Sequence, residues 1–263
     1  MTLANTSIEK LAPIKPNWAA PATVMALVTT RRGGVSKPPY DSFNLALHVR
    51  DNSTDVGSNR ALLQDLLGEA IHLQWLEQVH GTQVVHAERG AGECPGDAVY
   101  IDTPGLAGVV LTADCLPVFF AARDGGSVAV AHAGWRGLAD GILERTLACF
   151  PVPASEVIVW MGPAIGPCHF EVGAEVRDIF LSSADDAHLS SRLDAEGFRP
   201  TANAGKYLAD LYALARLKLL AAGVVAVSGG GACTYCDVER FYSYRRDGAT
   251  GRMASVIGLR SIS

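Results

Sequence analysis

The chain is short of the groups that would bind a polyanion or a bilayer. Its 22 lysines and arginines are outnumbered by 27 acidic residues, for a net charge of -5. They form no dense basic patch, which excludes a phosphate backbone as the main ligand. No run approaches the roughly 18 apolar residues of a membrane-spanning helix. The opening MTLANTSIEKLAPIKPNW lacks the basic head and apolar stretch of a secretory leader. The expectation is a cytoplasmic protein with neither nucleic acid nor membrane as partner. Linkers, internal repeats and low-complexity tracts are also missing, so residues 1–263 read as a single domain. Histidine is sparse: there are seven, at 48, 72, 80, 86, 132, 169 and 188, and no two are separated by one residue. A multicopper oxidase needs several coppers held mainly by imidazoles, often in such close pairs, so that mechanism is not expected.

What is present is a large core and a set of thiols. With 49% hydrophobic residues the chain buries enough apolar surface to fold without disulfide staples. The six cysteines, at 94, 115, 149, 168, 233 and 236, therefore read as free thiols, each a small buried hydrophobe or a chemically employed group.

Strand-like runs fall at 22–29, 84–87, 98–101, 108–112, 117–121, 127–132, 157–161, 224–228, 240–244 and 253–259. Helical periodicity appears in Val56, Leu63, Leu66 and Leu67 before Gly68, in Leu138, Ile142, Leu143 and Leu147, and in Leu208, Leu211, Ala215 and Leu219 before Gly223. Strands outnumber helices and do not alternate with them regularly, which points to an α+β fold with helices outside sheet layers. The polar stretch Ser182 to Gly205 reads as a surface excursion.

The sharpest local reading lies in Thr112 to Gly137, TADCLPVFFAARDGGSVAVAHAGWRG. Two strand-like runs flank the turn cluster Arg123-Asp124-Gly125-Gly126, giving an antiparallel hairpin. Counting back from the turn sets Cys115 opposite a residue between His132 and Gly134. Opposed residues lie roughly 5 Å apart at Cα, close enough for a thiolate and an imidazole to share one ion or one proton. A small buried cysteine beside a hydrogen-bonded histidine is the bland alternative. Against it stand Asp114 next to the thiol and Gly134-Trp135-Arg136-Gly137 after the histidine, a flat apolar face and a fixed cation suited to a ring with an anionic substituent.

Taken together, AHAGWRG, TADC, QVHG, TRRGGVS and FYSYRRDGATGRMASVIGL resemble the YfiH or laccase-domain family, from Thr30 to Leu259 in the family's order. Its members were first labelled polyphenol oxidases and later described as purine nucleoside phosphorylases. The resemblance implies one domain with two mixed sheets layered between helices (α/β/β/α), related in topology to a group of cysteine hydrolases. It further implies a catalytic zinc site whose ligands map onto His80, Cys115 and His132, with copper as a possible substitute. Three protein ligands leave a fourth position for water or substrate. An ion there lowers the pKa of bound water toward about 7, which suits attack on the amino-bearing carbon of adenosine.

The implied activity is phosphorolysis of adenosine, inosine and methylthioadenosine to base plus ribose 1-phosphate, together with adenosine deamination. The partners would be a small purine nucleoside and phosphate, and the assembly a monomer or weak homodimer. Phosphorolysis needs cations for its anionic nucleophile. Candidates are Arg136 and, from the family's last block, Arg245 and Arg246, with Arg31 and the Gly33-Gly34 turn as further donors and Asn44 for a sugar hydroxyl or purine edge. About half of these arginines are expected to be structural. Two rivals stay open. One is an amidase editing peptidoglycan precursors, with Cys115 as nucleophile and His132 as base. The other is a binding module with a structural metal, for which Cys233-x-x-Cys236 lacks two ligands other than His169 beside Cys168, so these four read as structural or incidental. Gly229-Gly230-Gly231 lacks a P-loop lysine and reads as a tight crossing.

Overall fold

A computed structural model describes residues 11–260. The first ten residues, on which the leader reading partly rests, and the last three of the 1–263 span lie outside the described residues. The strands are β1 (Val24–Val28), β2 (His72–Gln74), β3 (Leu76–Glu77), β4 (Val84–His86), β5 (Cys94–Pro95), β6 (Ala98–Ile101), β7 (Leu106–Thr112) and β8 (Leu116–Ala122). They continue with β9 (Val128–Ala133), β10 (Val157–Met161), β11 (Glu171–Gly173), β12 (Phe198–Pro200), β13 (Lys206–Ala209), β14 (Ala226–Gly229) and β15 (Met253–Leu259). The helices are α1 (Ser53–Leu67), α2 (Trp135–Ala139), α3 (Ile142–Leu147), α4 (Ala174–Ser182), α5 (Ala187–Gly197), α6 (Leu211–Ala221) and α7 (Tyr244–Asp247).

Two mixed sheets dominate this α+β domain. One has the order β1-β15-β7-β2 and the other β14-β10-β8-β9-β6-β4. Val28, Val110 and Ile257 of the first pack face to face on Val99, Phe119, Val130 and Trp160 of the second. Strands buried on both faces read as continuous apolar runs rather than alternating ones, which is why β7 to β10 stand out in the sequence. Leu63 of α1 joins Phe43 and Leu45 on the outer face of the first sheet, while α3, α5 and α6 bury Leu143, Leu193 and Leu214 on the outer face of the second. The resulting order is helix, sheet, sheet, helix. A three-stranded sheet, β11-β13-β12, and the pair β3-β5 complete it.

Three readings of the sequence are corrected. The 240–244 run is no strand: Phe241 and Tyr242 are fully buried, but their N–H groups go to the Asp237 carbonyl and the Met253 sulfur, and Ser243 caps α7. Ser182 to Gly205 is no mere excursion, since α5 lies within it and buries Leu189 and Leu193 at i, i+4. The stretch from Leu138 to Leu147 is two helices, because Gly141 takes φ +94 and breaks it. The glycines of the Gly229-Gly230-Gly231 run all have positive φ, and a side chain at Gly229 would collide with Met161 backbone atoms, so this is a tight crossing beside β10.

Candidate metal centre

The hairpin of β8 and β9 sets the centre. Its register pairs Leu116 with Ala133 and Pro117 with His132. Continued one step beyond the ladder, this register would set Cys115 against Gly134, where a Cβ would lie 3.2 Å from Cys115 Sγ, and on the sheet face of His132. The two side chains are thus diagonal neighbours at the open end. His80 comes from the loop between β3 and β4, and its Nε2 lies 4.0 Å from Cys115 Sγ. The rings of His80 and His132 are edge to face with centroids 4.8 Å apart. One ligand atom from each of the three residues lies within 4.8 Å of the others. Gly134 makes this approach possible: a Cβ there would sit 3.1 Å from His80 Cδ2 and 3.2 Å from Cys115 Sγ.

Asp97, at the start of β6, was not singled out from the sequence, yet it fastens both histidines. Its fully buried carboxylate accepts His132 Nδ1 at 2.8 Å and the backbone N–H of His80 at 3.0 Å through Oδ1, and those of Gly81 at 2.7 Å and Val79 at 3.3 Å through Oδ2. These bonds hold His80 at φ +59, an uncommon conformation for a side-chain-bearing residue. With Nδ1 taken, His132 has Nε2 left for an ion, the arrangement in which a carboxylate fixes tautomer and ring orientation. The only sequence signal was a lone aspartate after Gly96, entering an apolar strand. Gln78 anchors the same loop by exchanging two hydrogen bonds with the Leu111 backbone at the end of β7.

Asp114 holds Cys115 from the other side. It sits at φ +96, its carboxylate accepts Thr234 Oγ1 and the Arg245 N–H, each at 2.6 Å, and its carbonyl accepts the Ile165 N–H at 2.9 Å. Electrostatics favour a thiolate. Burial acts to raise the Cys115 thiol, but the charge and hydrogen bond of His132, then His80, outweigh it and bring the group down to about 6. Burial acts to lower His132, and the Cys115 thiolate and Asp97 outweigh it, lifting the imidazole to about 9. For Asp97, burial is opposed by the His132 and Gly81 hydrogen bonds, which leave its carboxyl below the usual range. A soft thiolate, two imidazoles and an oriented second nitrogen fit zinc or copper chemistry.

The three side chains open into a cavity of about 400 Å³, also lined by His48, Gln78, Leu111, Tyr244 and Arg252. Arg252 is the cation of this cavity, and the sequence reading passed over it although it lies in the quoted FYSYRRDGATGRM block. It is half-buried, with its guanidinium 5.7 Å from the Tyr244 ring centroid.

The expected substrate groups do not line this cavity. Asn44 is fully buried and spent on the backbone of Ala46 and Arg252 and the carboxylate of Asp51, which makes it a support for Arg252. Arg31 pairs with Asp41 and lies over Tyr242, and Gly34 N–H is taken by Ser42 Oγ. Arg136 is exposed with its guanidinium over Trp135. Arg245 donates to the Glu171 carbonyl, and Arg246 to the carbonyls of Thr234, Tyr235 and Phe241. Cys168, His169, Cys233 and Cys236, expected to be structural or incidental, are brought together as a second cluster. All six cysteines are free. No helix among the described residues is long and apolar enough to cross a membrane.

Residues 25–260 match the family model described as multi-copper polyphenol oxidoreductase laccase. The chain is 51% identical to a purine nucleoside phosphorylase of Pseudomonas aeruginosa, over 94% of this chain and 98% of that one. It is 48% identical, with the same two coverages, to the purine nucleoside phosphorylase YfiH of Escherichia coli. Among solved structures, a Neisseria meningitidis protein superposes with a TM-score of 0.88 at 47% identity, over 95% of this chain and 99% of that one. With its fold and nearly its whole length held in common with these proteins, this chain belongs to the YfiH, or multi-copper polyphenol oxidoreductase laccase, family.

Proposed function

We propose that this chain is a purine nucleoside phosphorylase working at one metal position held by His80, Cys115 and His132. The observation that carries the reading is the cavity in which these three residues share walls with Arg252, Tyr244 and His48. At about 400 Å³ it falls within the usual range of small-molecule sites. The curated relatives, named purine nucleoside phosphorylases, support the same class. Zinc is the proposed ion; copper is admitted by the donors but is not needed for this chemistry. The laccase reading finds little support, since the centre offers two imidazoles and one thiolate rather than a set of imidazole pairs.

In phosphorolysis an oxygen of phosphate bonds to C1′ of the ribose as the C1′–N9 bond breaks, and the departing purine takes up a proton. When bound, zinc supplies a Lewis acid for an oxygen of phosphate or substrate. The Arg252 guanidinium attracts and orients the anion, fixed by its donation to the carbonyls of Thr250 and Gly251 and by the Asn44 bond to its backbone. The exposed Tyr244 ring offers the purine a flat apolar face. Adenosine deamination is proposed as an accompanying activity of the same centre, with adenosine, inosine and methylthioadenosine as the nucleosides.

The test is to incubate protein of known metal content with these three nucleosides, with and without phosphate, and identify products by mass. Phosphate-dependent release of base that disappears in His80→Ala supports the assignment; release unchanged in that variant refutes the centre.

One observation favours a second reading. Without a metal, Cys115, His132 and Asp97 form a thiolate, imidazolium and carboxylate series, the arrangement of a cysteine amidase. Hydrolysis of an amide such as a peptidoglycan precursor by metal-free protein, abolished by alkylating Cys115, would establish it. Activity only after zinc addition would sink it.

A further inference from the structure

Some distance along the chain from the first centre, the loop between β10 and β11 brings Cys168 and His169 to Cys233 and Cys236, which follow β14. The two loops are stitched by a parallel bridge between Ala164 and Cys233 and by the Thr234 N–H bond to the Ala164 carbonyl at 3.0 Å. Cys168 Sγ lies 3.5 Å from Cys236 Sγ and 3.7 Å from Cys233 Sγ, and His169 Nδ1 lies 3.2 Å from Cys168 Sγ and 3.4 Å from Cys236 Sγ. A tetrahedral ion about 2.3 Å from sulfur and about 2.0–2.1 Å from nitrogen sets its sulfurs about 3.8 Å apart and sulfur and nitrogen about 3.5 Å apart. These four distances match edges of that tetrahedron, and all four ligand atoms lie within 4.8 Å of one another. A disulfide would instead single out one pair at about 2.05 Å and leave the third thiol and the imidazole unemployed.

We propose that Cys168, His169, Cys233 and Cys236 form a second, closed site for a thiophilic divalent cation of the zinc type, which clasps these two loops together. The surroundings are built for it. The His169 ring stacks on Tyr235, inside the C-x-x-C turn, at 3.9 Å between centroids and 14° between planes, so the imidazole is oriented by the same knuckle it would complete. The Gly166 N–H donates to Cys233 Sγ at 3.2 Å, the kind of contact that steadies a ligating thiolate. Gly166 leaves little room beside these ligands, as a Cβ there would lie 3.2 Å from Cys233 Cβ and 3.3 Å from its sulfur. Three thiolates and one imidazole fill a tetrahedral shell, so this ion has no position for substrate and its role is structural.

The clasp reaches the first centre through named bonds. Thr234, between the two C-x-x-C cysteines, donates to Asp114, which precedes Cys115, and Arg245, whose N–H also goes to Asp114, ties its guanidinium to the Glu171 carbonyl. Loss of the second ion is therefore expected to loosen Asp114 and, with it, the seat of Cys115.

The test uses the full chain, reduced, stripped of metal and titrated with zinc and separately with cobalt. Wild type is expected to bind about two equivalents of zinc per chain, and Cys236→Ser about one. Because Cys236→Ser could fail to fold, Cys115→Ser serves as the second variant. It is expected to keep one equivalent, with the intense thiolate-to-cobalt absorption of several sulfurs. A Cys115→Ser protein that binds no zinc, or binds cobalt without that absorption, overturns the proposal. So does a purified protein whose mass is lower by the two hydrogens of a disulfide and which takes up no second ion on reduction. The readout is metal content and spectrum, so it stands or falls separately from the nucleoside chemistry.

Discussion

His132 donates its Nδ1 hydrogen to Asp97 at 2.8 Å, and the oxygen that accepts it also accepts the backbone N–H of His80. One carboxylate thereby sets the orientation of an imidazole on β9 and the backbone of a loop 52 positions earlier. Through these bonds Asp97 ties the loop that carries His80 to the strand that carries His132.

Asp97→Asn keeps an acceptor but loses the charge, so metal affinity at the first centre is expected to fall about 10–100-fold. A competition titration against a chromogenic chelator, run on protein whose circular dichroism matches wild type, measures it. Unaltered affinity would show that the carboxylate does not tune the ligands.

In metal-free protein the Cys115 thiolate is expected to titrate at about 6, read by its ultraviolet absorbance or by the pH dependence of alkylation. His132→Ala should return it toward the ordinary thiol range. The sign for stability follows from linkage. A thiol held below its unfolded value contributes stability that fades as pH falls through about 6, and an imidazole held above its own contributes stability that fades as pH rises through about 9. The metal-free wild type should therefore be most stable, relative to Cys115→Ser, between these values. Parallel melting-temperature profiles for the two proteins would contradict the pair.

Arg252→Ala removes the cation of the cavity. The KM for phosphate is expected to rise about 10–100-fold, the range for loss of a charge-assisted hydrogen bond, with a smaller change in kcat. Arg136→Ala, whose guanidinium lies over Trp135 outside the cavity, should leave both near wild type. Steady-state kinetics in varied phosphate separates the two, and an equal loss in both variants would remove Arg252 from its proposed role.

Leu193 is fully buried where α5 packs against α6, in the segment the sequence presented as an excursion. Leu193→Ala should cost about 2–5 kcal/mol in urea unfolding. A cost near zero would mean that this segment is peripheral to the core after all.

The sequence by itself determined the parts whose physics is local. The continuous apolar runs made β6, β10 and β15 legible to the residue, because strands buried on both faces need no alternation. Counting from a glycine-rich turn set Cys115 opposite a residue between His132 and Gly134 and so beside His132, because a hairpin's register is fixed by its loop. His80 could be assigned only by resemblance, since nothing local ties a histidine before a glycine to a thiol 35 residues on. Tertiary structure alone decided the rest. Asp97, Arg252 and the four-residue thiol cluster act through contacts between distant segments, and a single aspartate, arginine or C-x-x-C has no periodicity to announce its partners. The same reason moved Asn44 from the substrate to the frame. Burial, which the sequence does not display at an isolated polar residue, committed its amide to the backbone of Ala46 and Arg252.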